Sequence, residues 1–425
     1  MNCQTQDQET LLGGCRVLDL TAKYGYYCGK LLADLGADVI KIEPPGGDEG
    51  RRMGPFYHDV VHPETSLHWM YYNTSKRSIT LNLETAEGVG LFKRLAEGAD
   101  FVLESFRPGF MSSLDLGYDS LARAHEGVIV VSISPFGQTG PYSDFCSSDL
   151  VVWGMGGLMA YVGTEDRPVR IGVPQAAILG GLHAAAASMI AYYHRELTGK
   201  GQHVDVSMQE ACIHSLYPAA ESWYLNRQMT TRVETAGEFI RPAPHGPLRT
   251  RYIWPCKDGH VCMHLLGGAN QGQAKSSTVI TKWAIREGYA LELKGYDWSR
   301  YDSSTITPEE RLRLEEAIIP FLLTKTKEEL YQAARSSGIL LLPSYTVREL
   351  TESPQLAGRG FWVDVDYPAM GEAITYPGAF VAVSDCALQS PRPAPKIGEH
   401  NREVYQGEYG LSDGSMALLA HSGVI

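Results

Sequence analysis

The chain has 425 residues, 44% of them hydrophobic and 20% charged, a globular composition with length for two or three domains. Its formal net charge of -12 argues against nucleic acid as the main partner, because proteins that hold a phosphate backbone carry basic surface. Eight cysteines with no CxxC pair suggest neither a zinc site nor a disulfide framework, so reduced thiols in a cytoplasmic protein are expected.

Met1–Gly14 is polar and lacks the apolar core of a signal peptide. Arg16–Leu20 then reads as a strand, TAKYGYYCG as a Gly-containing turn, Leu31–Leu35 as part of a helix and Asp38–Glu43 as the next strand. The unit spans about 30 residues, the length of a βαβ motif. Ile79–Leu83 is strand-like and Ala86–Ala99 helix-like. Asp100–Phe106 and Val128–Ser134 are continuously apolar, as strands covered on both faces of a parallel sheet are. The run Ala176–Tyr193 is apolar and rich in Ala and Gly, with His183 inside it. It approaches a membrane span in length, but its polar flanks and the lack of a sibling span favour a buried helix of a soluble domain over membrane insertion. His203–Met208 is a further strand, and the alternation predicts a doubly wound α/β domain.

Beyond about residue 225 the pattern becomes α+β. Arg251–Pro255 and His260–Leu265 flank CKDG as a hairpin. Helices are expected at Glu309–Thr324 and Lys327–Ser337, and strands at Phe361–Val365 and Ala379–Val383.

The first βα turn is where such a sheet presents helix N–H groups to a pyrophosphate. It carries Gly25 and Gly29 but no GxGxxG, and Glu43 stands where a ribose-binding acid would. A nicotinamide oxidoreductase is therefore a formal rival, disfavoured by the missing fingerprint. Gly267, Gly268 and Gly272 follow a strand, as an ordinary loop or a lid over a site. The histidines show no metal-ligand spacing, no metal is expected, and no GxSxG nucleophile motif occurs.

Several segments resemble the class III CoA-transferases: RVLDLT…LLADLGADVIKIEPPGGDEGR, NTSKRSITLNLETAEG, ESFRPGF, HRELTGKGQHVDVSMQEA and PKIGEHNREV, in family order along nearly the whole chain. The resemblance implies a Rossmann-like large domain formed by residues 1–205 and 395–425. A small α+β domain would occupy 236–350, with linkers at 206–235 and 351–394. It further implies an interlocked dimer with each active site between the large domain of one subunit and the small domain of the other. Coenzyme A, as acyl-CoA substrate, is expected against Ala22, Tyr24, Gly25, Leu81, Ser105 and Phe106, or mainly on a partner subunit.

In that family an aspartate attacks the acyl-CoA thioester, forms a mixed anhydride and releases CoA thiolate, which helps convert the anhydride, so that the donor acid is freed and the acceptor acid leaves as a new thioester. It lies four residues before a glycine that opens an apolar helix ending in R-x-x-TGxGQ. Here that glycine is Gly181 and the ending is Arg195 with Thr198–Gln202, so the nucleophile position holds Ala177, whose methyl group has no nucleophilic atom. Asp149 lies in a segment like the HD pair of the racemase branch, but Ser148 replaces that histidine and Ala177 the opposing acid, which disfavours a racemase. Ala22 stands at a loop position often polar in transferases. Ser105 replaces the usual Asn of NFRPG, while Phe106, Arg107, Pro108 and Gly109 are kept.

The resemblance therefore points to a non-catalytic subunit, like one chain of the two-subunit enzymes that move CoA from succinyl-CoA to an aromatic succinate in anaerobic aromatic degradation. A homologous subunit carrying the aspartate would be its partner. Two alternatives are a CoA-binding pseudoenzyme homodimer and an active homodimer using Asp149.

Overall fold

The computed structural model describes residues 10–164, 166–227, 229, 232, 238–241, 248–368, 370–386, 388 and 391–425. Outside the described residues lie 1–9 of the polar N-terminus, 165 of the expected large domain, 228, 230, 231 and 233–235 of the first expected linker, 236, 237 and 242–247 of the expected small domain, and 369, 387, 389 and 390 of the second linker. The chain divides into two compact units. The first takes the chain up to Leu158 with Ile171–Ser215 and Ala357–Ile425, and the second takes Met159–Arg170 with Leu216–Leu356.

The first unit is built on β1 (Arg16–Leu20), β2 (Asp38–Glu43), β3 (Arg77–Thr80), β4 (Phe101–Glu104), β5 (Ile129–Ser134) and β6 (His203–Ser207). They form one sheet in the order β3-β2-β1-β4-β5-β6, every pair parallel. All residues of β4 and β5 are buried, Glu104, Ser132 and Ser134 included, as strands covered on both faces of a parallel sheet are. The direction of winding reverses between β1 and β4, where open α/β sheets leave a crevice at the strand ends.

The helices up to residue 214 are, in chain order, α1 (Tyr26–Asp34), α2 (Leu67–Tyr72), α3 (Ala86–Ala96), α4 (Phe110–Ser113), α5 (Tyr118–Ala124), α6 (Asp149–Met155), α7 (Gln175–Thr198) and α8 (Met208–His214). Among the described residues α7 is the one helix long and apolar enough to cross a membrane. It is buried on one face only. Ala176, Ala177, Gly180, Gly181, Ala184 and Ala185 pack inward, while Ile190, Tyr193 and Leu197 are exposed. Its glycines lie inside the helix rather than at its opening. A Cβ on Gly180 would come within 2.7 Å of Met208 Cγ, and one on Gly181 within 2.9 Å of Tyr27 Cβ. Close approach of α8 and α1 thus outweighs the helix propensity that glycine forfeits, about 1 kcal/mol each.

The C-terminal segment closes the β3 edge without adding a strand, and His400 N donates to the Ser78 carbonyl oxygen at 2.9 Å. Ser78 N donates to His400 Nδ1 at 3.1 Å and Thr80 N to Asn401 Oδ1 at 2.9 Å. The strand expected at Ala379–Val383 is absent. The hairpin is Trp362–Tyr367 with Glu372–Pro377, and its pairing ends at Pro377 opposite Trp362, beyond which the chain has no partner strand.

The second unit has its own core. Antiparallel strands Ile253–Cys256, Gly259–Met263 and Leu341–Ser344 share it with helices Gln271–Arg286, Pro308–Leu322 and Lys327–Ser337 around Trp254, Trp298, Leu314 and Phe321.

Candidate active site

The first turn of the sheet is held from beneath by buried charge. Lys41 of β2 donates to the carbonyl oxygen of Thr21 and lies 3.8 Å from Asp19 and 3.4 Å from Asp48. Lys76 meets Asp19 at 2.8 Å, and the Tyr26 hydroxyl donates to Asp48. Burial alone would raise the Asp19 carboxyl, but Lys76 and Lys41 outweigh it and hold it below the usual carboxylate range. Burial pulls the Lys76 ammonium down, opposed by Asp19. Buried ions this well paired add little net stability, but they fix the backbone they grip. That backbone is the turn from Thr21 to Gly25. Gly25 is glycine for packing, since a Cβ there would run into Thr21.

Above the ends of β1 to β4 lies a cleft of about 460 Å³, lined by Leu20, Ala22, Ile42, Pro44, Pro45, Glu49, Leu81, Asn82, Glu84, Phe106 and Phe110, among others. Ala22 N donates to Ser105 Oγ at 2.7 Å, which ties the β1 turn to the β4 loop across the switch point. Phe106 and Phe110 pack at 4.5 Å between ring centroids. The cleft is apolar walled with polar edges, the usual make-up of a small-molecule site.

Of the six residues expected at coenzyme A, Ala22, Leu81 and Phe106 line this cleft. Ser105 braces it from one bond behind. Tyr24 turns the other way and donates to the carbonyl oxygen of Ser147 at 3.0 Å. Gly25 caps α1. Sequence reasoning missed Pro44, Pro45 and Glu49, although they stand in the IEPPGGDEG segment that carried the resemblance. A run without alternation gave no sign of which residues turn toward a ligand.

Glu43 lies at the floor of the cleft but has no oxygen to spare. Arg51 Nε and Nη2 reach its two oxygens at 2.6 and 2.7 Å, Ser78 Oγ donates to it at 2.6 Å and Asp48 N at 2.9 Å. A ribose-binding acid needs a free carboxylate oxygen, so the structure adds to the missing glycine fingerprint against a nicotinamide enzyme.

The second feature is the start of α7. Ala177 sits in its first turn, 6% exposed, and its N–H donates to Asp149 Oδ1 at 2.9 Å. Asp149 itself opens α6, whose cap is Ser148, with Val151 N donating to Ser148 Oγ at 3.4 Å. The two residues of the HD-like segment thus cap two helices, an ordinary use of Ser and Asp. Burial pushes the Tyr72 hydroxyl up to about 12 and the Cys212 thiol up to about 11, and the negative charge of Asp149 adds to both shifts. Both groups stay neutral at pH 7. Tyr24 is shifted upward by burial first, then by the negative charges of Glu49 and Asp149. Asp149, already accepting the Ala177 N–H, thus has phenols and a neutral thiol within reach of its charge.

In the second unit, Gly267 and Gly268 press on the backbone of Trp298 and Tyr301, where a Cβ would collide. Gly268 N donates to the Trp298 carbonyl oxygen at 2.8 Å, and Asn270 caps the following helix, with Gln273 N donating to its Oδ1 at 3.2 Å. Arg311 grips the loop base through the Leu265 carbonyl oxygen and, at 2.9 Å, Tyr301 Oη. These glycines are fixed by packing. His183, inside the apolar run of α7, has Nδ1 2.8 Å from the Leu179 carbonyl oxygen and is partly exposed.

A doubly wound parallel sheet with a small-molecule cleft at its switch point defines the class: a Rossmann-type α/β protein without the nicotinamide fingerprint. Within that class the chain belongs to CoA-transferase family III, whose family model matches residues 12–401. It is 34% identical over 397 residues, 92% of each chain, to the succinyl-CoA:(R)-benzylsuccinate CoA-transferase subunit BbsE of Thauera aromatica. It is 32% identical to the succinyl-CoA–D-citramalate CoA-transferase of Chloroflexus aurantiacus, covering 97% of this chain and 98% of the relative. Among solved structures, a CAIB/BAIF family protein from Brucella suis superposes with a TM-score of 0.77 at 29% identity, covering 94% of this chain and all of that one.

Proposed function

We propose that this chain is the non-catalytic subunit of a heteromeric, cytoplasmic class III CoA-transferase that moves CoA from succinyl-CoA to a carboxylic acid, an aromatic succinate being the favoured acceptor. One observation carries the reading. Ala177 occupies the position that the family resemblance gives to the nucleophile, in a chain that the family model matches over residues 12–401. A homologous partner supplies the aspartate, and CoA is held at the cleft through Ala22, Leu81 and Phe106. The two chains interlock, each large domain (1–205 and 395–425) facing the other's small domain (236–350) across the linkers. BbsE supports the reading as a subunit named for succinyl-CoA and (R)-benzylsuccinate. The test is CoA transfer from succinyl-CoA to benzylsuccinate by this chain alone and with its homologous partner. Transfer by the pair and not by the isolated chain is expected, and transfer at a normal rate by the isolated chain refutes the reading.

A second reading rests on the proximity of Asp149 to residue 177. In it Asp149 is the nucleophile of an active homodimer, and Asp149→Asn abolishes transfer.

A further inference from the structure

Glu104 is the last residue of β4 and is 4% exposed. In register it stands between Leu20 of β1 and Ser132 of β5, and Ser132 in turn pairs with Asp205 of β6. Paired residues point to one face of a sheet, so these four form a row along the strand ends. Leu20 lines the cleft. Glu104 Oε2 accepts from Phe106 N at 2.7 Å, and Phe106 lines the cleft too. The neighbouring Ser105 holds Ala22 N at 2.7 Å. The carboxyl group thus sits directly behind the cleft wall and fixes the loop that forms it.

We propose that Glu104 is a positioning residue of the cleft, which sets the loop after β4 and takes up a proton when a polyanionic ligand of the coenzyme A class enters. The inference rests on the cleft being the CoA site. Burial raises the Glu104 carboxyl to about 7, hydrogen bonds from Ser132 and Phe106 N partly offset this, and Asp205 raises it further. The groups facing it from each packed element are few. β1 offers Leu20, and β5 offers Ser132, whose Oγ lies 2.9 Å from His203 Nε2. β6 offers Asp205 and His203, and Tyr118 of α5 stacks on His203. No cation is among the causes of its shift. A pyrophosphate and a 3′-phosphate brought to the other side of the wall disfavour the carboxylate again, and the group answers by binding a proton. At neutral pH a group of this kind is about half ionised, so uptake reaches up to about half a proton per site.

The experiment is calorimetric titration of the full chain, in its assembled form, with coenzyme A. Buffers of different ionisation enthalpy are used, from pH 6 to 8. The 3′-phosphate titrates in the same range, so the difference between wild type and Glu104→Gln is the quantity read. Glutamine keeps an acceptor for Phe106 N and loses the proton. The expected result is larger uptake in wild type than in Glu104→Gln, with CoA affinity falling at least ~3-fold more from pH 6 to 8 in wild type than in the variant. Glu104→Ala, which also loses the loop contact, should weaken CoA binding at every pH. Asp205→Asn, on an exposed residue, removes the like charge and should move the uptake to lower pH, which keeps the test valid if Glu104→Gln folds poorly. Equal uptake in wild type and Glu104→Gln, or no shift in Asp205→Asn, overturns the proposal. Absence of CoA binding to every form overturns the CoA reading beneath it, a different outcome from binding without uptake.

Discussion

Asp149 separates the competing accounts, because its hydrogen bond to Ala177 N gives it a structural role with a calculable size. Asp149→Ala removes the acceptor for an N–H in the first turn of a 24-residue helix. Loss of a cap of this kind costs about 0.5–2 kcal/mol, and loss of a carboxylate at a helix N-terminus adds about 0.3–1 kcal/mol. Asp149→Asn keeps the acceptor oxygen and loses the charge, so only the second part applies. Urea unfolding followed by far-UV circular dichroism should place Asp149→Ala about 1–2 kcal/mol below wild type, with Asp149→Asn between them. The assembled enzyme carrying Asp149→Asn should keep CoA-transfer activity within a few-fold of wild type. An Asp149→Asn enzyme that folds and assembles normally but has lost activity by orders of magnitude would refute the capping account and make Asp149 the nucleophile.

Arg51→Met should be far more damaging. It leaves the fully buried Glu43 carboxylate without its two-point partner, a change that costs about 3–5 kcal/mol and is read as a drop in urea midpoint. Gly181→Leu should drive α7 away from Tyr27 and Cys28 of α1, destabilising the first unit by about 1–3 kcal/mol in the same assay. Stability should also depend on Glu104 through pH. Its folded-state carboxyl titrates near 7 and its unfolded one in the usual glutamate range, so the folded state holds the extra proton between the two. Stability therefore falls as pH rises across that window, by up to about 3 kcal/mol, and Glu104→Gln should flatten the fall. A wild-type profile that rises from pH 5 to 7 relative to the variant would contradict the assignment.

The strands of the sheet were legible because their runs are apolar and bounded by turn residues. Arg16–Leu20 and Asp38–Glu43 appear with the expected limits, and the expected helix at Lys327–Ser337 is found end to end. The start of α7 was harder to read, since Gly180 and Gly181 look like a boundary until the packing of Met208 and Tyr27 against them is seen. Ala379–Val383 has strand-like composition but no partner, and pairing is a tertiary property that composition does not carry. At the candidate site, residue identity at 177 was plain in the sequence. The commitment of Glu43 to Arg51, and of Asp149 to the α7 backbone, depends on contacts between residues 8 and 28 positions apart. The tie between Ala22 and Ser105 spans 83. No local pattern encodes these.

On the proposed reading, Ala177 leaves this chain dependent on a homologous partner for its nucleophile. The most direct test is the native mass of the complex isolated from its own cells through a tag on this chain, with peptide identification of what accompanies it. The account predicts a hetero-complex with a homologous chain that carries aspartate where this one has Ala177. A homodimer of this chain alone that transfers CoA would contradict it.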